Sequence, residues 1–163
     1  MASDGSSSDF SFVSANAPTY GKDNATLRSE GWITADGVLA PAHDAARAQW
    51  GGAWRMPTQQ EFDDLNSKCD WVWTTQNGVD GYIVSGRGTY SSNSIFIPCA
   101  GYGIATWLNN SGPYRYGHYW SSVPNSDYSY ANGLLFAADD DRGTGKDYRD
   151  SGLPVRPVQG STK

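Results

Sequence analysis

The spacing of the apolar residues changes at Trp71, and this change limits the folds open to the chain. From there Trp71, Trp73 and Thr75 alternate with other residues, which predicts a strand with a period of two. Asn77-Gly78 follows, and this pair is the strongest short signal for a hairpin turn. Helical segments come before the change and short strands after it, so the sequence predicts an α+β fold with antiparallel sheets.

Two helices are predicted before Trp71. Residues 41–50 are rich in Ala, with Pro41 in the first turn and two glycines after the last. Residues 58–68 start with a capping box, in which Thr58 and Glu61 each bind the backbone amide of the other. A short hairpin is predicted at 30–39, and strands at 10–13, 82–84, 94–97, 119–121, 133–136 and 154–158.

Residues 111–151 have nearly the composition of an antibody binding surface. This 41-residue stretch holds six Tyr, six Ser, six Asp, five Gly and two Asn. Tyr gives rigid contact area at low entropic cost, and the small polar residues give adaptable hydrogen bonds. Apolar anchors lie within the stretch and after it, so we expect a displayed binding surface. We divide the chain into a polar segment with a first strand, 1–30, and a main domain, 31–163, that contains this region.

Composition excludes several classes of partner. The 163 residues carry a net charge of -5 and no basic patch, so nucleic acid is not expected as a partner. No apolar run reaches 18 residues, so direct membrane insertion is not expected. The first ten residues do not form a signal peptide, although a leader could have been removed. Cys69 and Cys99 could form one disulfide or remain free thiols, and both readings stay open.

Residues 50–62 carry a motif of the form W-R-[LM]-P-T-x-x-E-[FW]. It resembles C-type-lectin-like domains of the formylglycine-generating-enzyme subtype. Further matches lie at 71–78, 94–98, 100–102, 119–122 and 149–157. The set is similar to the Fibrobacter succinogenes major paralogous domain, which is also used as the variable protein of diversity-generating retroelements. The resemblance spans about 40–158 and implies a C-type lectin-like fold, with two helices packed on short antiparallel sheets with long loops.

The resemblance also implies which positions are scaffold and which contact a ligand. Scaffold positions match at Tyr119, Trp120, Leu135, Phe136, Arg149, Gly152, Val155 and Arg156. Diversified positions are expected at Ser126, Asp127, Tyr128, Tyr130, Asp139, Asp140, Asp141, Thr144, Asp147, Tyr148 and Asp150. Tyr114, Tyr116, His118 and Asn125 complete the candidate ligand-binding set.

Catalysis is not expected. The formylglycine-generating relatives use a cysteine pair near the end of the domain, and this chain has no Cys after Cys99. His43 and His118 are the only two histidines, and neither belongs to a Ser/His/Asp set of recognisable spacing. We therefore predict no enzymatic activity and no cofactor.

A calcium-dependent lectin site is not expected either. That subtype uses a Glu-Pro-Asn or Gln-Pro-Asp motif, whereas Val123-Pro124-Asn125 lacks the side-chain oxygen before the proline. Adjacent strand residues point to opposite faces, so Asp139-Asp140-Asp141 predicts a solvated acidic loop rather than a metal site.

The aromatic residues divide into two groups. Tyr114, Tyr116, Tyr128, Tyr130 and Tyr148 could stack on sugar rings or anchor a protein, and the sequence leaves both open. The motif tryptophans are expected to be structural: Trp50, Trp54, Trp71, Trp73 and Trp120. Arg55, Arg149 and Arg156 are expected to tie strands and loops together through carboxylates and carbonyls.

The leading hypothesis is a non-enzymatic ligand-binding protein, an adhesin or receptor-binding protein. It would be the variable protein of a diversity-generating retroelement, placed outside the cell on a cell surface or a virion surface such as that of a phage. Its partner would be a macromolecule, either a protein or a surface glycan. The alternative is a non-diversified cell-surface paralogous domain that binds carbohydrate or has a structural role. A degenerate sulfatase-modifying enzyme is a third and weaker hypothesis.

Overall fold

The computed structural model describes residues 11–109, 116–138 and 141–160. Within these ranges the chain forms three α-helices: α1 (Asn24–Ser29), α2 (Ala45–Trp50) and α3 (Gln59–Lys68). The strands are β1 (Trp54–Arg55), β2 (Asp70–Gln76), β3 (Val79–Ser85), β4 (Ser94–Pro98), β5 (Tyr102–Ile104), β6 (Trp107–Asn109), β7 (Gly117–Pro124), β8 (Tyr130–Phe136), β9 (Arg142–Tyr148) and β10 (Val158–Gln159). The strands form four small antiparallel sheets, ordered β1-β10, β2-β3-β4, β5-β6 and β7-β8-β9. The predicted α+β class is thereby confirmed.

The core lies between α3 and the two three-stranded sheets. Its buried members come from all three elements: Phe62, Tyr82, Val84, Ile97, Tyr119, Leu134 and Phe136. The two buried tyrosine hydroxyls also join the sheets, because Tyr82 donates to the carbonyl of Ala137 at 3.0 Å and Tyr119 to that of Pro98 at 2.6 Å. Both buried hydroxyls are therefore paired, and their two hydrogen bonds attach the sheet β7-β8-β9 to the sheet β2-β3-β4.

The capping box gives α3 its predicted position. Thr58 accepts from the amide of Glu61 at 3.2 Å, and Glu61 accepts from the amide of Thr58 at 2.9 Å. Arg55 reinforces the box with two bonds to the Glu61 carboxylate, at 2.7 and 2.6 Å, and its Nε donates to the carbonyl of Gly160. The expected structural role of Arg55 is confirmed, since one guanidinium joins β1, α3 and the segment after β10.

The Asn77-Gly78 hairpin is also confirmed. Both residues have positive φ, 51° and 78°, as a type I′ turn requires. The predicted hairpin at 30–39 is present as a bridge between Ile33 and Leu39.

Several element predictions were wrong in extent. The helix predicted at 41–50 starts only at Ala45, because Asp44 caps it by accepting from the amides of Ala46 and Arg47. Of the strand predicted at 154–158, only Val158 belongs to a strand, β10. Trp50, one of the motif tryptophans expected to be structural, is 56% exposed and packs edge-on against Trp54. The helix α1 and the strands β1, β5, β6 and β9 were not predicted, and in the described part of the strand predicted at 10–13 only Phe12 forms an isolated β-bridge.

Residues 12–30 contact β5 and the loops next to the sheet that carries the candidate binding residues. Phe12 bridges to Ala105, and its ring lies over Gly103 and Gly152. The amide of Gly21 donates to the carbonyl of Tyr128 at 2.9 Å. Among the described residues, the structure contains no helix long and apolar enough to cross a membrane.

Candidate functional site

The strand β9 places two predicted ligand-binding tyrosines side by side. Tyr130 on β8 is the cross-strand partner of Tyr148 on β9, and their rings stack with centroids 4.4 Å apart. A hydrogen bond with the Tyr148 side chain, together with burial, raises the pKa of Tyr130 to about 12. Tyr148 remains 46% exposed, so the stack offers one ring to solvent while the other supports it.

A lysine and an aspartate extend this stack. The ammonium of Lys146 lies 4.2 Å from the ring centroid of Tyr130, and 3.4 Å from a carboxylate oxygen of Asp127. Both charged side chains are about half exposed, so the ion pair alone adds little stability. Its effect is to orient the two charges beside the rings. We call Asp127, Tyr128, Tyr130, Lys146 and Tyr148 the tyrosine patch.

The loop that carries Asp127 and Tyr128 is ordered by its own side chains. Asn125 accepts from the amide of Asp127 at 2.9 Å and donates to the side chain of Asn132 at 2.7 Å. The backbone amide of Tyr130 donates a hydrogen bond to the carbonyl of Asp127. Asn125, predicted as a ligand contact, therefore has its amide engaged within the loop, while Tyr128 is presented with 52% of its surface exposed.

Arg149 binds backbone carbonyls next to the tyrosine patch and fixes its position. Its guanidinium donates to the carbonyls of Tyr130 and Asn125 in the sheet region and of Thr19 and Lys22 in the N-terminal segment, at 2.7 to 3.2 Å. Burial lowers the pKa of Arg149 from its ordinary value. Its predicted role as a structural tie is confirmed. Arg156, of which the same was expected, has an exposed side chain.

A second group of predicted residues gathers around His118. Its Nδ1 lies 2.8 Å from a carboxylate oxygen of Asp147, and both side chains are 16% exposed. The ring of Tyr102 lies 4.6 Å from that of His118, and the ring of Tyr116 meets it edge-on at 5.9 Å. The Asp147 carboxylate also accepts from Ser151 at 3.4 Å. We call His118, Asp147, Tyr102 and Tyr116 the histidine cluster.

A cleft of about 380 Å³ borders the histidine cluster. Tyr116, His118, Asp141 and Thr144 contribute to its wall. The hydroxyl of Thr144 donates to the Asp63 carboxylate on α3 at 2.6 Å, so this predicted contact residue also ties β9 to the helix. His118 lines the cleft but its partner Asp147 does not, and among the described residues no Ser or Cys nucleophile lines it.

The predicted site residues differ in their exposure to solvent. Ser126, Asp127, Tyr128, Asp141 and Tyr148 are exposed, whereas Tyr116, His118, Asn125, Tyr130, Thr144, Asp147 and Asp150 are partly buried. Tyr114, Asp139 and Asp140 lie outside the described residues.

Three participants were not predicted as site residues: Lys146, Tyr102 and Ser151. Lys146 can be assigned to the same face as Tyr148 only once β9 is known, because the period of two along 142–148 is a property of that strand. Tyr102 and Ser151 reach the histidine cluster only through the fold, where Gly103 bridges to Gly152.

In the part of the chain that the structure describes, no three His, Cys, Asp or Glu side chains are grouped as metal ligands would be. Cys69 and Cys99 are free thiols, and burial raises the pKa of Cys99 to about 11.

Comparison of the chain with protein-family models, with curated protein sequences and with solved structures finds no match.

Proposed function

We propose that the protein is a non-enzymatic binding protein that recognises a macromolecular ligand through the tyrosine patch. The observation that carries this proposal is the stack of Tyr130 and Tyr148, flanked by Lys146 and Asp127. Stacked rings with few free torsions lose little entropy when they bind, and mixed charges at their edge supply orientation.

The support of the patch argues for recognition. Arg149 holds the patch through four carbonyls, and Asn125 orders the adjoining loop. A surface ordered before binding keeps more of its contact energy as affinity. Tyr128 and Tyr148 stay about half exposed on this rigid support, as anchors for a protein or a glycan require.

Arrays of glycans and of bacterial and phage surface proteins test the proposal. We expect a ligand whose binding falls at least tenfold in Tyr128→Ala and in Tyr148→Ala, with unfolding temperatures close to that of the parent protein. Tyr90→Ala is the matched control, because Tyr90 is 67% exposed and lies outside the patch. Array ligands that bind equally well to all three variants would overturn the proposal.

We further propose a C-type lectin-like fold and a role as the variable protein of a diversity-generating retroelement, exposed on a cell or virion surface. The motif at 50–62 and the placement of Ser126, Asp127, Tyr128, Asp141 and Tyr148 at exposed positions support this. A near-identical repeat of the 3′ coding segment, differing at adenines and close to a reverse transcriptase gene, tests it. Absence of the repeat from the complete genome would favour the non-diversified cell-surface paralogous domain.

A further inference from the structure

The tyrosine patch already holds a cation against one of its rings. The ammonium of Lys146 lies 4.2 Å from the ring centroid of Tyr130, within the distance at which the negative face of an aromatic ring attracts a positive charge. The Lys146 side chain is 48% exposed, so this contact lies at the surface, where a cation of a partner can approach. The patch is therefore built from groups that attract cations.

The Asp127 carboxylate of the patch is only loosely engaged. One of its oxygens lies 3.4 Å from the Lys146 ammonium, and the other accepts from the amide of Ser129 at 3.3 Å. Both contacts are longer than the usual charge-assisted hydrogen bond of about 2.7–2.9 Å. Since 47% of the side chain is exposed, the carboxylate can accept two hydrogen bonds from an incoming donor without losing a short one.

Two exposed tyrosine rings lie close to this carboxylate. Tyr128 is the next residue in the chain and is 52% exposed, and Tyr148, which stacks on Tyr130, is 46% exposed. After hydrogen bonding with Tyr148 and burial, the charge of Asp127 is among the causes that raise the pKa of Tyr130. A negative charge that disfavours a phenolate favours a cation bound at the same place.

A guanidinium group suits this combination of rings and carboxylate better than an ammonium group does. It is planar, so it can lie flat on a tyrosine ring, and its fork of donors matches the two oxygens of a carboxylate. Arginine side chains carry this group and are frequent at the centres of protein interfaces, whereas sugars lack it. The net charge of -5 on the whole chain also favours the approach of a basic partner.

We propose that the partner of the tyrosine patch is a protein that presents an arginine side chain, whose guanidinium stacks on an exposed tyrosine ring and pairs with the Asp127 carboxylate. This inference rests on the proposed function of the patch, and it selects a protein over a glycan as the partner. Lys146 is then an internal competitor, because its ammonium lies beside the same carboxylate and against the same tyrosine stack.

Titration of the intact protein with two blocked tripeptides, followed by NMR of tyrosine labelled at Cζ, tests the proposal. One tripeptide is Gly-Arg-Gly, and the other has citrulline in place of arginine, which keeps nearly the same shape and removes the charge. We expect the resonances of Tyr128 and Tyr148, assigned through their Phe variants, to shift saturably with the arginine peptide. Its affinity should exceed that of the citrulline peptide by roughly fivefold, because only the arginine peptide gains the cation–π contact and the ion pair.

Two charge variants of the patch should change the affinity for the arginine peptide in opposite directions. Asp127→Asn keeps the shape of the side chain and removes the charge, so the affinity should fall roughly threefold. Lys146→Met removes the competing ammonium, so the affinity should rise roughly twofold. Asp36→Asn is the matched control, because Asp36 is exposed and lies outside the patch, and the affinity should stay unchanged.

Equal affinities for the two peptides would overturn the inference, as would the absence of a saturable shift or a rise in affinity in Asp127→Asn. If array ligands nevertheless depend on Tyr128 and Tyr148, the proposed function stands and the partner is an uncharged one such as a glycan. If no array ligand depends on these two tyrosines, the proposed function fails and the inference is overturned with it.

Discussion

Tyr130 and Tyr148 stack across adjacent strands with ring centroids 4.4 Å apart, and the Tyr148 side chain raises the pKa of Tyr130. Stacking fixes both rings, and the neighbouring side chain makes the Tyr130 phenol harder to ionise. The pair therefore has a spectroscopic signature that is independent of any ligand.

Tyr148→Phe is expected to lower the pKa of Tyr130 from about 12 toward its ordinary value of 10. The substitution keeps the stacked ring and removes the hydroxyl whose hydrogen bond is the largest cause of the raised pKa. Titration followed by NMR of tyrosine labelled at Cζ measures it, with Tyr130→Phe to assign the resonance. A pKa that stays near 12 would show that burial, not Tyr148, controls Tyr130.

Arg149→Lys is expected to reduce the free energy of unfolding by about 2–3 kcal/mol, because one ammonium cannot serve four carbonyls in different directions. Urea denaturation measures the loss. Arg156→Lys is the matched control, since its side chain is exposed and its effect should stay within about 0.5 kcal/mol. Equal effects of the two substitutions would contradict the anchoring role of Arg149.

The two neighbouring serines of β7 should respond oppositely to removal of the hydroxyl. Ser121→Ala leaves the carbonyl of Asn132 without its donor and should destabilise the protein by about 1–2 kcal/mol. Ser122→Ala removes an unpaired buried hydroxyl and should be neutral or slightly stabilising. Thermal and urea unfolding compare them directly. A larger loss in Ser122→Ala would mean that its Oγ has a partner within the protein.

Glu61→Gln is expected to reduce the free energy of unfolding at pH 7 by about 2 kcal/mol, because the Arg55 guanidinium keeps its geometry but loses the opposite charge. The hydrogen bonds from Arg55 lower the pKa of Glu61 below 4.5. The stabilisation is therefore present above pH 4.5 and is lost as pH falls through the lower, folded-state pKa. The difference between parent and variant should shrink on acidification. A constant difference from pH 7 to pH 2 would exclude this linkage.

Cys99 should react slowly with iodoacetamide at pH 8, with a rate that still rises beyond pH 10, because burial raises the pKa of its thiol to about 11. Mass spectrometry of the labelled peptides measures the rate. The folded state holds this proton more tightly than the unfolded state, so stability is complete below about pH 9 and decreases between about pH 9 and 11. A rate that levels off near pH 9 would refute the raised pKa.

Local signals predicted the helix α3 and the β2-β3 hairpin well. Two features depend only on neighbouring residues: the capping box of Thr58 and Glu61, and the Asn77-Gly78 turn. Their geometry can therefore be predicted from a few consecutive residues. The ion pair of Arg55 with Glu61 is equally local, whereas the bond of Arg55 to the carbonyl of Gly160 depends on the fold.

The strand β9 could not be predicted in this way. Its sequence includes Gly143 and Gly145, which weaken a strand, although its partner β8 ends at Phe136, close by in the sequence. A Cβ at Gly145 would lie 2.5 Å from the end of the Leu135 side chain, which would have to move. Since β9 was missed, the pairing of Tyr130 with Tyr148 and the contribution of Lys146 were also missed.

The bridge between Gly103 and Gly152 has a consequence for protein engineering. Each amide donates to the carbonyl of the other, at 2.7 and 2.8 Å, and the Phe12 ring covers both residues where any side chain would clash. The intervening chain carries the tyrosine patch and most of the histidine cluster, and it also supplies the core residues Tyr119, Leu134 and Phe136. We expect this segment to be exchangeable between related scaffolds when the glycine pair, Phe12 and these three core positions are retained.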